Sequence, residues 1–287
     1  MAIELTSLLK MAIELKASDL HLTVARAPSF RVNGNVKEID APKLTMEDTL
    51  QYAKASMDNE KFERLMTCGE VDFSITVPDV SRFRVNAFMQ RGSVSLVFRT
   101  LASNIPTIDS LNLPPVIKQI CEFKEGLILV TGPTGSGKST TMAAILNEIN
   151  SKRYGHILTL EDPIEYIFKH DKCIVNQREI GNDSKTYESA LRAALREDPD
   201  VIFIGEMRDV ESISIAVTAA ETGHLVLSTL HTLGAAKTLD RLIDVFPPHQ
   251  QQQIRIQVST ALKAVISQRL IPDASGKGRV AAHEIMI

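Results

Sequence analysis

Residues 3–16 set Ile3, Leu5, Leu8, Leu9, Ala12, Ile13 and Leu15 at near-helical spacing, and Ser18-Asp19-Leu20-His21-Leu22-Thr23-Val24 then alternates polar with apolar. The pattern predicts a helix leading into a sheet. Ser29-Phe30-Arg31-Val32, Asn33-Gly34 and Asn35-Val36 read as a hairpin, because Asn-Gly supplies the positive φ angles of a two-residue turn. Thr45 with Asp48 has the form of a helix cap before an amphipathic stretch. Period-two alternation returns over residues 70–100, with Val71, Phe73, Ile75 and Val77 on one face, and likewise Phe83, Val85, Ala87 and Met89. These elements predict a small mixed α+β domain over residues 1–102.

Residues 103–113, which open Ser103-Asn104-Ile105-Pro106-Thr107 and run up to Pro114-Pro115, are rich in proline and polar positions and are expected to be a linker. Beyond it the pattern changes. Helical stretches alternate with short apolar runs at 127–130, 156–160, 201–204 and 225–228, which predicts a parallel sheet covered by helices over residues 114–287. Residues 235–242 and 250–262 add amphipathic helices, and residues 279–286 read as a final strand. No internal repeat or low-complexity tract interrupts this order.

Composition narrows the setting. At 287 residues, with 44% hydrophobic and 23% charged positions, the chain has material for two globular domains. A formal net charge of -3 gives no bulk field for nucleic acid, and no direct nucleic-acid binding is expected. Cys68, Cys121 and Cys173 are far apart, with no Cys-x-x-Cys, which argues against a zinc ribbon or a disulfide framework and fits a reducing cytoplasm. The first ten residues carry an acid early and no continuous apolar segment, so neither a signal peptide nor a transmembrane segment is expected.

The most specific chemistry lies in Gly132-Pro133-Thr134-Gly135-Ser136-Gly137-Lys138-Ser139, a complete phosphate-binding loop that follows the apolar run from Gly126 to Thr131. Its glycines let backbone N–H groups turn toward phosphate oxygens, Lys138 can reach the β and γ oxygens, and the Ser139 hydroxyl suits Mg2+. From Thr140 the chain continues as a helix whose positive end points at the anion. An accidental glycine-rich turn would not bring both flanking elements, so a nucleoside triphosphate is the expected ligand.

Four further segments supply candidate groups. Val201-Ile202-Phe203-Ile204-Gly205-Glu206 is an apolar strand ending in a carboxylate placed to polarise the attacking water; Gly205 stands where an aspartate is usual, so the metal role falls partly to another strand. In Leu158-Thr159-Leu160-Glu161-Asp162-Pro163-Ile164-Glu165 the acids Glu161, Asp162 and Glu165 leave an apolar run together, which suits Mg2+ beside triphosphate, although a loop of solvated acids has the same composition. His224 and His231 bracket a third apolar strand, and His231, at the exit, is the one placed to sense the γ-phosphate. Arg82 and Arg84 lie opposite the apolar face of their strand, with Arg91 just past it; they suit phosphate oxygens, or a solvated basic face.

Taken together these segments resemble the secretion ATPase superfamily, most closely its type IV pilus retraction branch, the PilT family. Residues 132–139 correspond to Walker A, Leu160-Glu161-Asp162-Pro163-Ile164-Glu165-Tyr166 to the Asp box, Ile204-Gly205-Glu206-Met207-Arg208-Asp209 to an atypical Walker B, and Thr222-Gly223-His224 through His231-Thr232 to the His box. Ser18-Asp19-Leu20-His21-Leu22, Val175-Asn176-Gln177-Arg178-Glu179 and Asp244-Val245-Phe246-Pro247-Pro248 match the same family between those motifs. The resemblance implies an α/β fold with a RecA-like P-loop ATPase core and a smaller N-terminal PAS-like α+β domain. It also implies a homo-hexamer that hydrolyses ATP with Mg2+, the arginines at 82, 84 and 91 meeting nucleotide at closed domain interfaces. The expected setting is the inner face of the cytoplasmic membrane, on an inner-membrane pilus platform protein and beside a possible paralogous retraction ATPase. Leu233-Gly234 replaces a small polar pair common in relatives, and the family usually continues past Ile287 into C-terminal helices. Pilus assembly or type II secretion ATPases are the nearest rival; many carry a four-cysteine zinc module that this chain lacks. A nucleotide-gated scaffold with little turnover and a nucleic-acid translocase are the more distant readings.

Overall fold

The computed structural model describes residues 3–78, 80–101, 105–207, 209–274 and 278–287. The chain divides into two compact units, Met1–Ser103 and Asn104–Ile287.

In the first unit, α1 (Leu5–Glu14) leads into β1 (Asp19–Leu22), β2 (Ser29–Val32) and β3 (Asn35–Glu38). Then come α2 (Met46–Ser56), α3 (Asn59–Cys68), β4 (Glu70–Val77), β5 (Ser81–Gln90) and β6 (Ser93–Thr100). The strands form an antiparallel sheet in the order β3-β2-β1-β6-β5-β4. Asn33 and Gly34 both take positive φ, 50° and 82°, which joins β2 to β3 by the tight turn their sequence favours. Thr45 and Asp48 cap α2 reciprocally, side chain to backbone in both directions. Leu8, Phe30, Leu65, Phe83 and Phe98 are buried in one core. The Ser18–Leu22 motif has a structural job here: the buried Asp19 carboxylate accepts from the Arg99 Nε at 3.1 Å and lies 3.6 Å from the Arg31 Nε.

The second unit opens with α4 (Val116–Ile120), β7 (Gly126–Thr131), α5 (Lys138–Lys152), β8 (Gly155–Glu161) and β9 (Cys173–Glu179). It continues with α6 (Tyr187–Ala194), β10 (Val201–Ile204), α7 (Val210–Glu221), β11 (Leu225–Leu230), α8 (Ala235–Asp244), α9 (Pro248–Ala261), β12 (Leu262–Pro272) and β13 (Arg279–Met286). The sheet order is β13-β12-β7-β11-β10-β8-β9, parallel except for the β12–β13 hairpin at one edge. Period-two alternation sends successive residues of each strand to opposite faces. Leu127, Leu129, Leu158, Ile202 and Val226 pack with residues of α6, α7, α8 and α9, while Ile128, Val130, Ile157, Phe203 and Leu227 pack against α5. Each fully buried aliphatic side chain there stabilises the sheet by about 2 kcal/mol. Such a doubly covered sheet is rigid, which is what a site at its strand ends requires.

Two expectations from the sequence change. The stretch 103–113, read as a linker, packs where it is described: Ile108 and Leu113 are buried in the second unit's core, and Thr107 and Ser110 hydrogen-bond reciprocally. Its prolines mark irregular backbone, and its apolar residues still find a core. The helix expected to reach residue 262 ends at Ala261, and Leu262 begins β12, a strand whose buried stretch includes the polar pair Ser267 and Gln268.

Candidate nucleotide site

Strands β7, β8, β10 and β11 are parallel neighbours, in register Thr131↔Leu230, Ser228↔Ile204 and Ile204↔Leu160, so whatever follows them collects at one sheet edge. The loop 132–139 follows β7, Glu161 ends β8, Gly205 and Glu206 follow β10, and His231 follows β11. Lys138, Ser139, Thr140, Glu161, Asp162, Glu165, Glu206 and His231 all line one cavity of about 460 Å³, along with Thr134, Gly135 and Gly137 of the loop.

The loop is built around its glycines and its lysine. Gly132 has φ 147°, and a Cβ there would run into the Gln268 carbonyl and the Ser136 hydroxyl. Gly137, at φ 87°, is the left-handed residue before α5, and a Cβ there would lie 2.8 Å from the Gln268 Nε2. Lys138 is buried, and its ammonium donates to the carbonyls of Gly132 at 2.9 Å and Pro133 at 3.1 Å. Burial pushes the Lys138 pKa down, opposed by the charges of Glu206 and Glu165. The net shift is downward, so Glu206 and Glu165 offset only part of the cost of burying this cation, and an anion in the cavity would offset more of it. The Ser136 hydroxyl is buried inside the loop and has no hydrogen-bond partner among the described residues.

The acids divide by environment. Glu161 is 6% exposed and its Oε1 accepts from the Thr159 hydroxyl at 2.6 Å and the Gln177 amide at 3.2 Å. Burial pushes this carboxyl up to about 7 against its hydrogen bonds, and the charge of Glu165 adds to the rise. Asp162 and Glu165 are exposed at the rim. The Ser139 hydroxyl donates to the Glu165 Oε1 at 3.0 Å, and the Thr140 and Tyr166 hydroxyls are 3.0 Å apart, so residues 165–166 fasten the start of α5 to the acidic segment. The His231 Nε2 lies 3.2 Å from the Glu206 Oε1. The Gly205 carbonyl, just before Glu206, accepts from the Thr229 hydroxyl at 2.6 Å, tying the ends of β10 and β11 together.

Ser139 and Glu165 offer hard oxygen donors side by side, which suits a divalent cation. Among the described residues no group of three or more His, Cys, Asp or Glu side chains is placed to hold a metal alone. Mg2+ fits such a sparse set, because it commonly keeps waters and takes its remaining ligands from substrate phosphates.

Arg82, Arg84 and Arg91 belong to the first unit. Arg84 and Arg91 are exposed, and Arg82 donates from Nη1 to the Thr76 hydroxyl at 3.1 Å on the neighbouring strand. His224, at the entry of β11, is bound locally, its Nδ1 3.0 Å from the Ala219 carbonyl. Arg208 lies outside the described residues. Sequence reasoning missed Gln177, Tyr166 and Gln268 as site-building groups. Gln177 and Tyr166 stood inside quoted motifs without an assigned task; Gln268 carried no local signal, being a polar residue in a strand that periodicity did not reveal.

Comparison with known proteins places this geometry. The family model described as type II/IV secretion system protein matches residues 1–285. The chain is 50% identical over 99% of its length, and 82% of the relative's, to the type IV pilus retractation ATPase PilT of Pseudomonas aeruginosa. It is 48% identical to a twitching motility protein of Neisseria gonorrhoeae, over 91% of this chain and 70% of that one. The crystal structure of the pilus retraction motor PilT with bound ADP superposes with a TM-score of 0.94 at 53% identity, over 99% of this chain and 83% of that one. The fold is accordingly a RecA-like α/β core with a smaller N-terminal α+β domain. Among the described residues no helix is long and apolar enough to cross a membrane. With nearly its whole length matched by one family model, the chain belongs to the type II/IV secretion system protein family.

Proposed function

We propose that this chain is an ATP-hydrolysing motor that powers type IV pilus retraction. The observation that carries the reading is the convergence of Lys138, Ser139, Glu161, Glu206 and His231 on one cavity at the carboxyl ends of four parallel strands. The retraction and twitching relatives supply the biological task to which that chemistry is put.

In this reading the loop 132–139 cradles the triphosphate with backbone N–H groups, and Lys138 turns its ammonium from the Gly132 and Pro133 carbonyls to phosphate oxygens. When bound, Mg2+ neutralises charge on the phosphates. Ser139, which donates to Glu165 in this structure, would hold the ion through its hydroxyl, with Asp162 and Glu161 as acids of the same wall. Glu206 accepts a hydrogen bond from the attacking water and orients it; as the water oxygen bonds to the γ-phosphorus, the bond to the bridging oxygen breaks, ADP leaves with that oxygen, and the water's proton passes to the phosphate formed or to solvent. His231, held on Glu206, sits where loss of that phosphate alters its partners. Turnover then drives movement in a cytoplasmic homo-hexamer that acts on an inner-membrane pilus protein.

The test is imaging of fluorescently labelled pili in a strain lacking the gene, complemented with the unmodified chain or Lys138→Ala. Retraction should stop in the deletion and in the Lys138→Ala strain while extension continues. Extension lost with retraction intact would instead favour an assembly ATPase.

A further inference from the structure

Gln268 lies on β12, 3% exposed, beside the strand that feeds the phosphate loop. Its side chain amide makes two short hydrogen bonds, both to the loop–helix segment: Nε2 donates to the Ser136 carbonyl at 2.6 Å, and Oε1 accepts from the Thr141 hydroxyl at 2.7 Å. Those two bonds fix which way the amide points, and Oε1 therefore also accepts from the His283 Nε2, 3.3 Å away on β13. Its backbone carbonyl closes on Gly132 and its Nε2 on Gly137, the two positions where a Cβ would collide with it. One residue thus braces the first glycine, the last glycine, the intervening Ser136 carbonyl and the first turn of α5.

The adjacent residue faces the other way. The Ser267 hydroxyl accepts from the Gly234 N–H at 2.9 Å, and Glu284, opposite Ser267 on β13, accepts from the Ala235 N–H at 2.9 Å. These anchor the segment three residues past His231. Strand β12 therefore grips both the loop that would hold the phosphates and the loop that carries His231.

We propose that Gln268 is a positioning residue for nucleotide binding: it holds the phosphate loop open in a shape that presents N–H groups to the phosphates, without itself touching them. The inference rests on the ATP-site reading above. A glutamine suits the task because it donates at one end and accepts at the other, and the site offers one carbonyl and one hydroxyl to match. A glutamate would lose the donor to Ser136 and set a negative charge beside the phosphate site. A methionine of similar volume would lose both bonds while keeping the packing.

The experiment measures ATP affinity of the full chain by titration calorimetry, together with the melting temperature without nucleotide, for Gln268→Met, Thr141→Val, Thr141→Ser and the double variant Gln268→Met/Thr141→Val. Gln268→Met should weaken ATP binding about tenfold and also lower the melting temperature without nucleotide by a few degrees, because both buried hydrogen bonds are already made before nucleotide binds. Thr141→Val should weaken binding in the unmodified chain yet change it less than about twofold once Gln268 is methionine, and Thr141→Ser should recover the affinity that Thr141→Val loses. Gln268→Met binding ATP as tightly as the unmodified chain overturns the proposal, as do strictly additive losses in the double variant. Should Gln268→Met fail to fold, Thr141→Val decides, and unchanged affinity overturns the proposal. Failure of the unmodified chain to bind ATP sinks the site assignment itself, a distinct result.

Discussion

The imidazole Nε2 of His231 lies 3.2 Å from the Glu206 Oε1, joining the residues that leave neighbouring strands β11 and β10. The Glu206 side chain is the more enclosed of the two. The carboxylate also lines the cavity beside Lys138, where it can meet a water molecule next to bound phosphate. Replacing Glu206 by glutamine should retain ATP binding while slowing phosphate release by about 100-fold or more, the usual loss when a positioned acid–base group is removed. His231→Asn should cost less, on the order of tenfold, because it removes the support and leaves the carboxylate. Equal turnover in Glu206→Gln and the unmodified chain would assign the water to another group.

Glu161 gives the nucleotide-free protein a pH signature. Its carboxyl is raised from 4.5 to about 7 in the folded state by burial. The folded chain consequently holds a proton that the unfolded chain has released, and stability falls as pH rises from about 4.5 to about 7, levelling off outside that window. The contribution of this one group is on the order of 3 kcal/mol at most. Denaturant midpoints measured across that window should show the decline, and Glu161→Gln, which cannot ionise, should flatten it. An unaltered pH slope in Glu161→Gln would refute the assignment.

Gly132→Ala should damage the loop directly. At φ 147° any side chain is strained, and the added methyl would meet the Gln268 carbonyl, a backbone atom on β12 that has little freedom to move. The expected outcome is a melting temperature lowered by several degrees, corresponding to about 1–3 kcal/mol, with nucleotide binding lost. Calorimetry of the variant with and without ATP checks both, and normal ATP affinity would contradict the loop geometry described here.

Ser139→Ala separates the metal from the phosphate. The variant removes the hydroxyl that now donates to Glu165 and leaves the Lys138 contacts in place. Half-saturation by Mg2+ in the hydrolysis assay should rise on the order of tenfold or more. A Mg2+ dependence identical to that of the unmodified chain would remove Ser139 from the proposed metal ligands.

The loop 132–139 was legible because its chemistry fixes spacing and residue type together, and the strands at 201–204 and 225–228 because burial on both faces leaves continuous apolar runs. The Asn33-Gly34 turn and the Thr45 cap were legible for a similar reason: each solves a local backbone problem with nearby residues. What could not be read was set by distant partners. Gln268 meets Ser136 and Thr141 only after 132 and 127 intervening steps of chain are folded, and no local pattern marks a buried glutamine as a brace. The packing of Ile108 and Leu113 was hidden behind a proline-rich composition that reads as free chain. The protonation of Glu161 likewise depends on burial, since its sequence neighbours show only a row of acids.

Phosphate release by the purified chain in Mg2+-ATP, set beside that of Lys138→Ala, tests the central claim most directly. Lys138 is the buried cation on which the proposed triphosphate site depends, its ammonium donating to the Gly132 and Pro133 carbonyls. Steady turnover is expected from the unmodified chain, and its loss in a Lys138→Ala variant that remains folded. Hydrolysis at an unchanged rate in that variant would contradict the central claim.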